Sequence, residues 1–161
     1  MKPTTDTIRA FYEAFQRRDA AAMGRCYTSD VVFSDPVFTH LVGDQARGMW
    51  TMLCERGKDL RVEFSEVAGD AATGSAHWEA WYTFSTTGRA VHNVIEARFR
   101  IRDGLIAEHT DSFSLARWAA QALGVKGVLL GWAPPVQNAI RKQAAKGLEQ
   151  FMARRGNASP S

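Results

Sequence analysis

Residues 59–113 constrain the fold most, because apolar side chains recur there at every second position. This spacing is typical of strands that bury one face and expose the other. The strand runs cover about residues 60–65, 73–85, 91–101 and 105–113. Glycine-containing turns separate them, and Asp103-Gly104 is a strong two-residue hairpin signal. The stretch therefore predicts four strands joined as an antiparallel meander.

Helical spacing flanks this meander on both sides, with apolar residues three or four positions apart. The predicted helices cover about residues 4–17, 20–27, 43–57, 115–123 and 136–152. A short apolar strand, Val31–Asp35, ends at Pro36, which cannot donate to a strand ladder. Helices on one face of such a sheet predict an α+β domain. We expect a cone-shaped, curved antiparallel sheet closed by the N-terminal helices, with extra C-terminal helices.

Length and composition predict one domain over residues 1–153 and a disordered polar tail over residues 154–161. The net charge of +3 comes without a basic stripe interleaved with aromatics, so no nucleic-acid partner is expected. The N-terminus has no apolar h-region, and no window reaches the roughly 18 apolar residues that span a bilayer. We therefore expect a cytoplasmic protein with no membrane partner. Cys26 and Cys54 form no CxxC pair, and we expect both to be buried thiols.

Asp35 needs an explanation, because a lone carboxylate ends an apolar strand just before a proline. Pro36 holds the preceding residue in extended geometry. One interpretation is that the carboxylate faces a pocket. The other is that it caps the turn by accepting backbone N–H bonds, as aspartates commonly do at such places.

Three segments in a fixed order resemble a known superfamily: FYEAFQRRDAAAMGRCYTSDVVFSDPVF, GDQARGMW and RDGLIAEHTDSF. Together they resemble the nuclear transport factor 2-like superfamily, most closely its SnoaL-like polyketide cyclase and ketosteroid isomerase branch. The resemblance covers about residues 4–116. It implies a cone-shaped sheet around a ligand cavity, with cofactor-independent chemistry in some members and simple binding in others. It also implies a homodimer through the outer sheet face, where Trp81 lies among charges.

The resemblance assigns site residues one by one. Asp35 matches the aspartate base of ketosteroid isomerases. The isomerase tyrosine falls at Phe11, with Tyr12 beside it as the alternative. The protonated aspartate falls at Ala97, on the apolar strand face, or at Glu96 in an alignment shifted by one. We therefore do not expect steroid-isomerase chemistry in its usual form.

His109 and Asp111 offer a different acid–base set on the last strand. Residues two apart on a strand project from the same face, and SnoaL-like cyclases carry an acid–base aspartate late in the sheet. We therefore predict Asp35, His109 and Asp111 as catalytic residues. The alternative is that His109 and Asp111 bond each other as a structural pair.

The predicted ligand is a small hydrophobic molecule, because aromatic side chains alternate along the same strand faces. Tyr82 and Asn93 are expected to donate hydrogen bonds to a developing enolate. The predicted ligand-binding residues are Phe11, Tyr12, Trp50, Trp78, Tyr82, Phe84, Asn93, Ala97, Phe99 and Phe113. No cofactor and no metal site are expected, because no third ligand joins His109 and Asp111 at suitable spacing. A non-catalytic ligand binder or dimeric interaction module of the same fold is the alternative function.

Overall fold

The fold combines six helices with one sheet of six strands. A computed structural model describes residues 3–158, with side chains described for residues 3–156. The helices are α1 (Thr4–Gln16), α2 (Ala20–Arg25), α3 (Asp44–Arg56), α4 (Leu115–Leu123), α5 (Val125–Leu130) and α6 (Pro134–Ala158). The strands are β1 (Tyr27–Ser34), β2 (Leu41–Val42), β3 (Arg61–Gly69), β4 (Thr73–Phe84), β5 (Arg89–Arg102) and β6 (Leu105–Ser112).

The sheet has the strand order β2-β1-β6-β5-β4-β3. Strands β3 to β6 form the predicted antiparallel meander. Strand β1 pairs with β6 in parallel, which is the one parallel pairing of the sheet in the described chain. The sheet is curved and does not close, so the α+β cone prediction is confirmed.

Helix α1 covers the inner face of the sheet because its apolar stripe matches the helical period. Ile8, Phe11, Tyr12 and Phe15 on this stripe are at most 2% exposed. Two side-chain hydrogen bonds fix the start of α1 against the sheet. Thr4 Oγ1 donates to the Asp70 carbonyl at 2.6 Å, and Thr7 Oγ1 donates to the Gly104 carbonyl at 2.8 Å. Both acceptors lie in hairpin turns, so α1 is held across the meander.

Two local predictions need correction. Strand β1 begins at Tyr27, before the predicted start at Val31, because its first residues pair with β6 around a register shift. The expected disordered tail is helical as far as Ala158, because helix α6 continues without a break past residue 152. Residues 159–161 lie outside the described part of the chain. The apolar stretch after Gly124 forms the separate helix α5.

Both cysteines are buried, as predicted. No helix in the described residues is long and apolar enough to cross a bilayer.

Candidate functional site

The parallel pairing of β1 with β6 brings the two predicted aspartates together. Phe33 pairs with His109 and Ser34 pairs with Thr110. Asp35 is the residue after Ser34, and Asp111 is the residue after Thr110. The rings of Phe33 and His109 touch on the inner face, with centroids 5.0 Å apart. Because side chains alternate along a strand, the two carboxylates extend from that same inner face.

One oxygen of Asp35 is held by the turn that follows β1. Oδ1 accepts the backbone N–H of Val37 at 2.7 Å and that of Phe38 at 2.6 Å. The other oxygen, Oδ2, has no hydrogen-bond partner among the described residues and is not enclosed. Asp35 therefore forms the Asx turn of the second interpretation while keeping one oxygen accessible.

The pKa of Asp35 is raised from 3.8 to about 7. Burial is the main cause, because it disfavours the charged carboxylate. The negative charge of Asp111 raises the pKa further, and the two turn N–H groups only partly oppose both effects. This value places half-ionisation of Asp35 near neutral pH.

One oxygen of Asp111 is also held by the scaffold. Oδ1 bonds His109 Nε2 at 2.8 Å and accepts the Trp78 indole N–H at 3.3 Å. Oδ2 has no hydrogen-bond partner among the described residues, and the whole side chain is only 2% exposed. In both aspartates, Oδ1 is held by hydrogen bonds from the protein, and Oδ2 is left for a ligand.

A buried hydrogen-bond chain fixes the His109 ring. Trp50 Nε1 donates to the Tyr27 hydroxyl at 2.8 Å, and that hydroxyl bonds His109 Nδ1 at 2.8 Å. An indole N–H can only donate. The Tyr27 proton is therefore directed to Nδ1, which fits the tautomer in which Nε2–H donates to Asp111.

Aromatic rings enclose His109 completely. Its exposed fraction is 0%. The ring centroids of Phe99, Phe11 and Trp50 lie 4.5, 5.4 and 5.9 Å from that of His109. The predicted structural pairing of His109 with Asp111 is therefore present. In this conformation His109 can act on a ligand only through Asp111.

Two tyrosine hydroxyls border the aspartates. Trp118 Nε1 donates to the Tyr82 hydroxyl at 2.7 Å, which leaves the Tyr82 proton available. Burial raises the pKa of Tyr82, and the charge of Asp35 adds to this. The Tyr12 hydroxyl is buried and has no hydrogen-bond partner. Burial and then the charge of Asp111 raise the pKa of Tyr12.

Residues 8–109, more than half of the chain, match the model of the SnoaL-like domain. The chain belongs to the SnoaL-like domain family. A search of the curated proteins found no match.

Solved structures show the same fold. A candidate polyketide cyclase of Xanthomonas campestris is 25% identical, with a TM-score of 0.60 over 73% of this chain and 95% of that one. IdmH, a candidate polyketide cyclase of Streptomyces antibioticus, is 24% identical, with a TM-score of 0.63 over 76% and 99%. A Catenulispora acidiphila protein of ketosteroid isomerase-like fold, solved with trimethylamine, is 16% identical, with a TM-score of 0.66 over 83% and 100%.

The other predicted ligand-binding residues of this SnoaL-like domain divide into two groups. Phe11, Trp50, Trp78, Ala97 and Phe99 are buried in the hydrophobic core. Tyr82, Phe84, Asn93 and Phe113 are half-buried, toward the ends of their strands. The ring of Phe84 packs edge-on against Trp118 at 5.2 Å. Ligand contact at each of these positions stays a prediction.

Sequence reasoning missed two site residues, Tyr27 and Trp118. Tyr27 stands at the junction of a helical and a strand pattern, so neither period assigned its face. Trp118 fits the apolar stripe of α4, which favours a core position. An indole needs a hydrogen-bond partner when it is buried, and this was the available signal.

The outer sheet face carries a separate polar network. His77 Nδ1 bonds Glu96 at 2.5 Å and His77 Nε2 bonds Glu79 at 3.1 Å, while His92 Nε2 bonds Glu79 at 2.7 Å. Ligand atoms of Glu66, His77 and Glu96 lie within 4.8 Å of one another, so these residues could hold a cation by distance. The hydrogen bond between His77 and Glu96 accounts for the closeness of these two residues.

Proposed function

We propose that this SnoaL-like domain binds a small hydrophobic carbonyl compound and catalyses a cofactor-independent proton transfer on it. The reaction class is isomerisation, cyclisation or dehydration. One observation carries the proposal: Asp35 and Asp111 extend from the same inner face, each with one anchored oxygen and one oxygen that has no hydrogen-bond partner among the described residues.

Asp35 is the proposed general base. A carboxylate half-ionised near neutral pH is matched to removing a proton next to a carbonyl. The electron pair of the broken C–H bond then moves onto the carbonyl oxygen as an enolate. The protonated Asp35 returns the proton to another atom of the same ligand, so the enzyme is regenerated without a cofactor.

The developing enolate oxygen needs a hydrogen-bond donor. The Tyr82 hydroxyl keeps its own proton because Trp118 is the donor in their bond. The Tyr12 hydroxyl has no partner among the described residues but is fully enclosed, so it becomes a second donor only when ligand binding opens the site. Both would stabilise negative charge that forms only as the proton leaves.

Asp111 and His109 have different proposed roles. The charge of Asp111 keeps the pKa of Asp35 high, and its second oxygen is left for a hydrogen bond with the ligand. His109 is a positioning residue, because it contacts Asp111 and is closed off by aromatic rings.

The test is exchange of α-hydrogens for deuterium in a series of hydrophobic ketones, followed by NMR. We expect the wild-type rate to rise with pH through about 7, as Asp35 ionises. Asp35→Asn should lower the rate at least about 100-fold. Asp30→Asn, an exposed aspartate on the same strand, is the control. Equal exchange by wild type and Asp35→Asn would exclude Asp35 as the base.

The second candidate is a non-catalytic binder of the same ligands. The full enclosure of His109 and the 2% exposure of the Asp111 side chain favour it. Saturable quenching of tryptophan fluorescence by hydrophobic ketones, unchanged in Asp35→Asn and without deuterium exchange, would establish this candidate instead.

We further propose a homodimer through the outer sheet face. Arg61, Trp81 and His92 form a lateral row across β3, β4 and β5. The Arg61 guanidinium lies 4.1 Å from the Trp81 ring centroid, and the His92 ring stacks on Trp81 at 4.5 Å. A pre-ordered aromatic row of this kind suits an interface. The two buried thiols support a proposed cytoplasmic location.

A further inference from the structure

Exposed large apolar side chains cluster in one short stretch of the chain. Eight such side chains occur in the described residues, and five of them lie between residues 125 and 132. They are Val125, Val128, Leu129, Leu130 and Trp132, exposed by 75, 65, 63, 49 and 68%. We call these five side chains the α5 face. Single exposed apolar residues are ordinary, but a contiguous set indicates an interaction surface.

The α5 face is held outward by the packing of α5. Gly127 lies against α4 so closely that a Cβ at this position would come within 1.8 Å of the Ala119 carbonyl oxygen. After α5, Trp132 Nε1 donates to the Leu129 carbonyl at 2.9 Å. The buried side of α5 is therefore already occupied, so the apolar side chains cannot turn inward without breaking this contact.

The stretch of chain that contains the α5 face carries only positive charges. Residues 112–148 contain no aspartate or glutamate, although the chain has 17. The same stretch carries five basic residues, Arg117, Lys126, Arg141, Lys142 and Lys146. The stretch therefore has a net charge of +5. The whole chain has a net charge of +3, so the residues outside the stretch have a net charge of −2. All five except Arg141, which is half-buried, are exposed.

We propose that the α5 face docks onto the surface of an anionic lipid bilayer. Leucine, valine and tryptophan side chains insert at the boundary between headgroups and acyl chains, and basic neighbours attract anionic headgroups. Docking of a second copy would instead bring two stretches of +5 together. The sequence expectation of no membrane partner considered a spanning segment, whereas peripheral docking needs none.

Vesicle flotation of the full chain tests the proposal. Vesicles of phosphatidylcholine alone are compared with vesicles containing about equal phosphatidylglycerol. We expect flotation with the anionic vesicles only, and its loss when salt rises from about 0.05 M to about 0.5 M. The double variant Leu129→Gln and Trp132→Gln should lower the binding at least about tenfold. Lys126→Gln should lower it about fivefold.

The matched control is Leu105→Gln, which removes an apolar side chain that is 37% exposed on another surface. It should bind anionic vesicles like wild type, and circular dichroism should show all variants folded. Absence of flotation, or equal binding by the double variant, would overturn the proposal. A dimer in sedimentation that needs Leu129 and Trp132, without vesicle binding, would also overturn it and assign the α5 face to a second copy.

Discussion

Asp35 serves a turn and a site with its two oxygens. Oδ1 accepts the backbone N–H groups of Val37 and Phe38 in the turn that follows β1, and Oδ2 stays accessible. The sequence predicted Asp35 as a site residue through the family resemblance, and His109 and Asp111 through the resemblance together with their shared strand face. The enclosure of His109 could not be predicted, because it depends on rings from α1, α3 and two strands, β1 and β5.

Asp35 should lower the stability of the fold above about pH 4. Its pKa is about 7 in the folded chain and 3.8 in the absence of these surroundings. Between these values the folded state holds a proton that the unfolded state has released, so the free energy of unfolding falls as pH rises. Asp35→Asn keeps the Oδ1 acceptor and cannot ionise. We expect this variant to be about 1–3 kcal/mol more stable than wild type at pH 8.

Urea unfolding of both proteins at pH 4 and pH 8 measures the effect. The difference should nearly disappear at pH 4, where wild-type Asp35 is protonated in the folded state and close to half protonated in the unfolded state. A difference of the same size at both pH values would mean that ionisation of Asp35 is not its cause.

Tyr27 and Tyr12 should respond oppositely to loss of the hydroxyl. Tyr27→Phe leaves the Trp50 N–H and His109 Nδ1 buried without partners, which should cost about 2–4 kcal/mol. Tyr12→Phe removes a hydroxyl that has no partner and should leave stability unchanged or raise it by about 1 kcal/mol.

Thermal unfolding of the two variants measures both effects, and ketone binding provides a second readout. Tyr12→Phe should weaken ligand binding if its hydroxyl meets the ligand. Equal destabilisation by the two variants would show that Tyr12 has a partner in solution.

At the scale of elements, local patterns predicted the meander but not its partner strand. The period of two assigned the inner faces of β4 and β5 correctly, since Trp78, Ala80, Ile95 and Ala97 are buried. The parallel pairing of β1 with β6 joins residues 76 positions apart, such as Phe33 and His109. No local signal encodes such a pairing, and it is the pairing that places Asp35 beside Asp111.

Gly127 and Gly147 are two glycines of the C-terminal helices at which a Gly→Ala substitution should have opposite effects on stability. Gly127→Ala places a methyl group against the Ala119 backbone and should destabilise the packing of α5 on α4 by about 1–3 kcal/mol. Gly147→Ala, in α6, meets nothing within 4 Å and should stabilise its helix by about 1 kcal/mol.

Hydrogen exchange distinguishes the two glycine variants by location. Gly127→Ala should speed exchange in α4 and α5 while leaving the meander protected. Unchanged protection in α4 and α5 would contradict the tight packing seen at Ala119.

At the scale of the whole molecule, two surfaces are distinct in chemistry. The outer sheet face combines acidic and basic side chains with Trp81, and its charges pair across neighbouring strands. The α5 face is apolar, and the stretch of chain that contains it, residues 112–148, carries basic but no acidic side chains. A self-complementary surface needs both signs of charge, because a two-fold axis places each patch against its own copy. The outer sheet face meets this requirement and the α5 face does not.

The two surfaces should therefore separate in one experiment on oligomeric state. Trp81→Ala removes the centre of the aromatic row, where truncation of a buried tryptophan typically costs an interface at least 2 kcal/mol. We expect sedimentation velocity to show a dimer for wild type and at least about a tenfold weaker dimer for Trp81→Ala. Trp132→Ala, which removes an exposed tryptophan from the α5 face, should leave the dimer intact. A wild-type monomer would refute assembly through the sheet. A dimer weakened only by Trp132→Ala would refute it too, because the dimer would then depend on Trp132, and no other described tryptophan is exposed to that degree.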